Sequence, residues 1–148
     1  MSLEFTISEA IKTAMRAKDR VALDSLRAVK SQILLLKTEA LGAEVSPEQE
    51  IALLQRMIKQ RKDSYEQFTA QGRNDLAEVE DAQVKVIEKY LPAQLSSEEL
   101  EVEIKQIIAN TGAESIKDLG KVMGIASKNL AGKSDGKSIS EMAKKLLS

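Results

Sequence analysis

The sequence predicts an all-α protein, with an N-terminal helical domain of roughly four helices over residues 1–92 and a small three-helix C-terminal domain over 93–148. Three observations lead there. Only 2 prolines and 7 glycines occur in 148 residues, while Ala, Leu, Lys, Glu and Gln, which favour helix over strand, are abundant. Apolar residues recur at intervals of three and four. Capping signals, in which Ser or Thr is followed three residues later by Glu or Gln, open several of the segments.

Thr6 with Glu9 is placed to cap "AIKTAMRAK". Asp19 is placed to cap the second segment, where Ala22, Leu26, Val29, Ile33, Leu36 and Ala40 share a face that ends at Gly42. Ser46, with Pro47 at the first helical position and Gln49 at the third, opens the next. It carries Ile51, Leu54, Ile58, Arg61, Tyr65 and Phe68 on one stripe and runs to Gly72. Asn74 or Asp75 opens a fourth segment that stops before Pro92. Arg61 takes an inward-facing step, so its stem should pack and its guanidinium pair at the bundle rim; a ligand-binding Arg is the sharper alternative. The acidic run "EVED" reads as a solvated helix face rather than a site for a hard cation, because its carboxylates diverge around the axis.

"YLPAQLSSEEL" marks the domain boundary: Pro92 cannot continue a helix, and Ser96 with Glu99 forms another capping box. Three shorter helices should follow, at about 97–110, 115–130 and 138–147, with stops at Gly112 and Gly132. Leu100, Ile104, Ile107 and Ile108 make the first amphipathic. Leu119, Val122, Met123 and Ala126 serve the second, and Ile139, Met142, Leu146 and Leu147 the third. A core of this size is marginal.

The chain has no Cys and no His, which removes thiolate nucleophiles, Cys-based metal sites and His-dependent triads. No spacing announces Ser–Lys or carboxylate-pair catalysis, so no catalytic residue, cofactor or metal ligand is assigned. The longest aliphatic run covers four residues, 33–36, too short to cross a bilayer. The first residues lack a basic region followed by an apolar core, and the expectation is a cytoplasmic protein. The formal net charge of −1 is uneven. Residues 111–148 carry 7 Lys and 4 acidic groups, while 93–110 carry 1 and 4, a weak pointer to an anionic partner.

"MGIASKNLAGKSDGK" holds Gly-Lys-Ser, yet a P-loop needs Gly five residues before Gly132 and a strand upstream. Ser127 stands there, in a helix pattern, so no nucleotide is expected at this tripeptide. Gly132 is placed to end one helix, Asp135-Gly136 to turn, and Ser138 with Glu141 to cap the next. That punctuation is sufficient as a plain connection. Alternatively, glycine-exposed amides, the helix N-terminus and the flanking Lys133 and Lys137 form a phosphate contact. Gly120 and Gly124 share a helix face, at a cost of up to about 1 kcal/mol each relative to Ala. A close neighbour should compensate, another helix before a nucleic-acid backbone. Lys121 and Lys128 extend a basic strip on this helix. No aromatic residue follows Tyr90, so any RNA contact here should be to phosphate and shape rather than to stacked bases.

"KQRKDS", "EKYLP", "GKVMG" and the Gly-Lys-x-Asp-Gly-Lys loop resemble the YqeY family, over nearly the whole chain. Ser134 replaces the Ala more usual in that loop, and Ser127 falls where a larger apolar residue is common. The resemblance implies that the C-terminal domain is similar to the tail domain of the GatB subunit of tRNA-dependent amidotransferase, a part that serves tRNA recognition. By that likeness Gly120, Lys121, Gly124, Gly132, Lys133, Asp135, Gly136 and Lys137 are candidate RNA-binding residues, and Lys128 joins them through its spacing from Lys121 on the basic strip. The expected function is a non-catalytic module contacting tRNA or a tRNA-handling amidotransferase. The rival is a protein–protein adaptor that binds no nucleic acid. A family label of carbon–nitrogen ligase with glutamine as amido-N donor would mark association, since no catalytic machinery for it stands in the sequence.

Overall fold

A computed structural model describes residues 2–42 and 44–148. The described residues form seven α-helices and one 3-10 turn, without strands; the protein is all-α. They fall into two compact units that meet between Leu91 and Pro92.

The first unit contains α1 (Leu3–Ala17), α2 (Arg20–Glu39), α3 (Pro47–Ala70) and α4 (Asn74–Glu88). Helix α1 packs on α2, α3 on α4, and α2 contacts both α3 and α4. The core is built from Ile7, Leu26, Val29, Leu54 and Ile87, each at most 2% exposed, with Ile33, Leu53, Met57, Ile58 and Val84 around them. On α3 the buried face is Leu53, Leu54, Met57 and Ile58, a denser set than the stripe read from spacing. Tyr65, placed on that stripe, is 41% exposed instead. The stripe drifts outward where α3 extends as a 24-residue helix and its last turns need an apolar face only toward α4.

Arg61 is satisfied within the fold. Its Nε donates to Gln83 Oε1 at 2.9 Å and one terminal nitrogen donates to the Met57 carbonyl at 3.2 Å, tying α3 to α4. In the acidic run 78–81, Asp81 pairs with Lys85 at 3.1 Å, and the described residues hold no group of acidic side chains suited to a metal ion.

Caps set most boundaries. Ser46 and Gln49 exchange side-chain bonds with each other's amides, forming the predicted box. Asp19 accepts from the Ala22 amide. Helix α1 departs from expectation: Ser2 caps it by accepting from the Phe5 amide, and Thr6 lies inside, donating to the Ser2 carbonyl. The earlier start is held from a distance, since Glu50 of α3 accepts from the Leu3 amide at 3.0 Å and places negative charge at the positive end of α1.

The second unit contains α5 (Ser97–Thr111), the 3-10 turn Ile116–Asp118, α6 (Leu119–Asn129) and α7 (Gly136–Leu147). Each α-helix packs on the other two. Ile104, Val122, Ala126 and Ala143 are fully buried; two of these four are Ala, whose small side chains allow α6 and α7 to come close. Leu100, Ile107, Leu130, Ile139 and Leu147 complete the core. The single helix expected over 115–130 is split. Ser115 and Asp118 form a capping box, in which the Asp118 carboxylate accepts from the Glu114 amide at 2.9 Å and the Ser115 amide at 3.4 Å, and only then does α6 begin. Among the described residues no helix is long and apolar enough to cross a membrane.

Candidate nucleic-acid interface

Helix α6 turns Val122 and Ala126 into the core, which sends Gly120, Lys121, Gly124, Ser127 and Lys128 to the outside. A Cβ built at Gly120 or Gly124 meets nothing within 4 Å. The close helical neighbour expected to compensate these glycines is therefore not found among the described residues: they leave an uncovered stretch of backbone with a lysine beside it at each end. Ile125 borders the strip at 36% exposure, and Ile116, on the preceding turn, is 49% exposed.

The two strip lysines differ. Lys121 Nζ reaches the Thr111 carbonyl at 3.4 Å, so its charge leans on the negative end of α5. It also stands near Asp118, whose carboxyl is held below its ordinary pKa mainly by the Glu114 and Ser115 amides, with a smaller contribution from Lys121. Lys128 is exposed in the last turn of α6.

Beyond α6 the chain turns sharply. Gly132 is buried, with a φ of +79° that favours glycine. The Lys133 and Ser134 amides both donate to the Leu130 carbonyl, at 2.9 and 3.3 Å. These amides are spent inside the fold, and the idea of a glycine loop offering them to phosphate is corrected on this point. Lys133 presents its exposed side chain only.

The start of α7 also differs from expectation. Asp135, not Ser138, is the cap: its Oδ1 accepts from the Ser138 amide at 2.7 Å. Gly136 and Lys137 therefore occupy the first helical turn rather than a preceding loop. Starting there puts Ile139, Ala143 and Leu147 on the buried side, which a start after Ser138 would shorten by most of a turn. The Asp135 carboxylate occupies the positive end of α7, where an anion would otherwise sit. Lys137 remains exposed beside it.

The nine candidate residues thus form two groups. Gly120, Lys121, Gly124 and Lys128 lie along α6, whereas Gly132, Lys133, Asp135, Gly136 and Lys137 lie on the turn into α7. What they can offer is side-chain ammonium groups and bare helix backbone; no nucleophile paired with a base occurs among them. Two further contributors escaped sequence reasoning. Gln94 Nε2 donates to the Pro92 carbonyl at 2.8 Å and to the Gly132 carbonyl, and the Leu95 amide donates to the Lys133 carbonyl at 2.9 Å. No periodicity marks either residue.

The family described as "Yqey-like protein" matches residues 4–147. Among curated proteins, the chain is similar to "Altered inheritance of mitochondria protein 41, mitochondrial" of several yeasts. It is 34% identical to the Meyerozyma guilliermondii protein over 130 residues, which cover 72% of this chain and 65% of that one. For Lachancea thermotolerans the identity is 31% over 99 residues, covering 67% and 53%. The chain therefore spans between about half and two thirds of the length of these relatives. With the match running over almost its full length, the chain belongs to the YqeY family.

Proposed function

We propose that this protein is a non-catalytic, tRNA-associated cytoplasmic module whose second unit, akin to the GatB tail domain, meets the phosphate backbone of tRNA or a tRNA-handling amidotransferase. The observation that carries the reading is the open side of Gly120 and Gly124. Each glycine costs α6 up to about 1 kcal/mol relative to Ala, and no described residue within 4 Å requires the missing Cβ. Their use therefore lies outside the fold, in letting something approach the helix backbone. Lys121 and Lys128 flank them, and Lys133 and Lys137 follow on the turn, which favours an anionic visitor. Because the Lys133 and Ser134 amides bond to Leu130, the turn contributes point charges rather than a cradle of amides.

The test is a titration of fluorescently labelled tRNA at several salt concentrations. If about three phosphates are neutralised, log affinity falls against log salt with a slope of about −3 or somewhat less. Lys133→Glu/Lys137→Glu should weaken binding and flatten the slope. Gly124→Ala should raise thermal stability, by up to about 1 kcal/mol, while weakening tRNA. Wild-type protein without affinity for tRNA at low salt overturns direct RNA contact.

A protein–protein adaptor is the second reading, favoured by exposed Ile125 on α6 and exposed Ile116 on the preceding turn and by the Asp135 carboxylate at the α7 N-terminus. Here capture of a partner helix would survive high salt and be abolished by Gly124→Leu.

A further inference from the structure

We infer that Gln94 is a positioning residue: its carboxamide locks the turn after α6 and thereby sets where Lys133 projects. The turn is held on two sides. From within, the Leu130 carbonyl accepts from the Lys133 and Ser134 amides. From the segment after Pro92, the Gln94 NH₂ and the Leu95 amide take the Gly132 and Lys133 carbonyls. These two bonds bridge 38 residues of chain, and they fall on the two peptide groups on either side of the Lys133 α-carbon. The backbone from which Lys133 projects is thus restrained through both its amides and both its carbonyls.

Gln94 is suited to this by its donor count. One NH₂ carries two protons, and it faces two carbonyl oxygens, those of Pro92 and Gly132. An acceptor at this position would repel both. Pro92 itself has no amide hydrogen, so the neighbouring segment cannot supply the missing donor from that residue. The Gly132 backbone lies in the left-handed region, where release of its carbonyl frees the turn to relax. A cation on a fixed base binds phosphate with less ordering to be done on contact. The binding consequence rests on the proposed tRNA contact; the locking of the turn does not.

Gln94→Met keeps the length of the side chain and removes the donors, with Gln94→Ala as a second variant. Amide hydrogen exchange read residue by residue should show Lys133 and Ser134 exchanging about tenfold faster in both variants, while amides in the middle of α5 are unchanged. In the salt-dependent tRNA titration both variants should lose about three- to tenfold in affinity with the slope unchanged, because the number of lysines at the phosphates is the same. Unchanged exchange at Lys133 and Ser134 overturns the lock. Faster exchange with undiminished affinity for tRNA overturns the positioning role. If the wild type does not bind tRNA at all, the functional reading fails, and the exchange data still decide the lock.

Discussion

The two units use charge differently. In the first, the opposing charges are nearly equal in number, with 14 Lys and Arg against 15 Asp and Glu over residues 1–92, and many are paired locally. Lys59 meets Asp63, Lys85 meets Asp81, and Lys37 meets Glu4 across helices at 2.7 Å. In the second, Lys105 pairs with Glu101 on α5, but from residue 111 onward seven lysines face four acidic groups. Two of those four have structural work: Asp118 holds the Glu114 and Ser115 amides, and Asp135 caps α7. A chain that mixes its charges over its first 91 residues separates them along the second unit, whose 8 Lys and 8 acidic groups balance overall while the lysine excess falls after residue 110. Helix composition repeats the contrast, since glycine is absent from α1 to α4 but interrupts α6 twice.

The largest effects that would sharpen this contrast are in the cores. Ile87→Ala and Ile104→Ala each delete a fully buried side chain and should cost about 2–5 kcal/mol. In hydrogen exchange, Ile104→Ala should expose residues 92–148 while α1 to α4 keep their protection. Loss of protection across the whole chain would break the description as two units.

Next are the capping boxes that open α3 in the first unit and α5 in the second. Ser46→Ala and Ser96→Ala should each cost about 1 kcal/mol by urea unfolding, with the smaller core of the second unit making the change in midpoint larger there. Acid acts on the same devices. The Glu99 carboxyl is held below its ordinary pKa by the Ser96 amide and side chain, and Asp118 by the Glu114 and Ser115 amides. A carboxyl lowered in the folded state contributes its stability above its unfolded value and loses it as pH falls through the folded one. The second unit should therefore soften below about pH 4, the ordinary carboxylate range. Circular dichroism of Glu99→Gln should show less of that acid dependence.

The smallest effect belongs to the surface pairs of the first unit. Lys59 and Asp63 are 76% and 56% exposed, and Lys59→Ala should change stability by about 0.3–0.5 kcal/mol. A larger loss would mean that local charge pairing matters more to the first unit than its exposure implies.

Much of the helical layout could be read from spacing, because burying one face imposes its period on the chain. Leu26, Val29 and Ile33 on α2, and Leu100, Ile104 and Ile107 on α5, point inward as their intervals predict. Cap choice was less legible where two patterns compete. Ser2 and Thr6 both precede α1 candidates, and the distant Glu50 carboxylate favours the earlier start. Asp135 and Ser138 compete in the same way, and burial of Ile139 favours Asp135. At the candidate interface the lysines and glycines were visible, but the direction in which the glycines face was not. It follows from Val122 and Ala126 being claimed by α5 and α7. Gln94 was invisible, since its partner lies 38 residues away and no local pattern encodes such a bond.

The division at Pro92 also bears on how the chain is made. Within the first unit α1 to α4 pack on one another, and within the second α5 to α7 do so, so each unit closes its core from sequence neighbours and pays little loop-closure entropy. During synthesis the first 91 residues can complete their packing before α7 leaves the ribosome, since domains tend to fold as units in order of appearance. The lysine-rich stretch from residue 111 onward would then take up its packing after the first unit has closed.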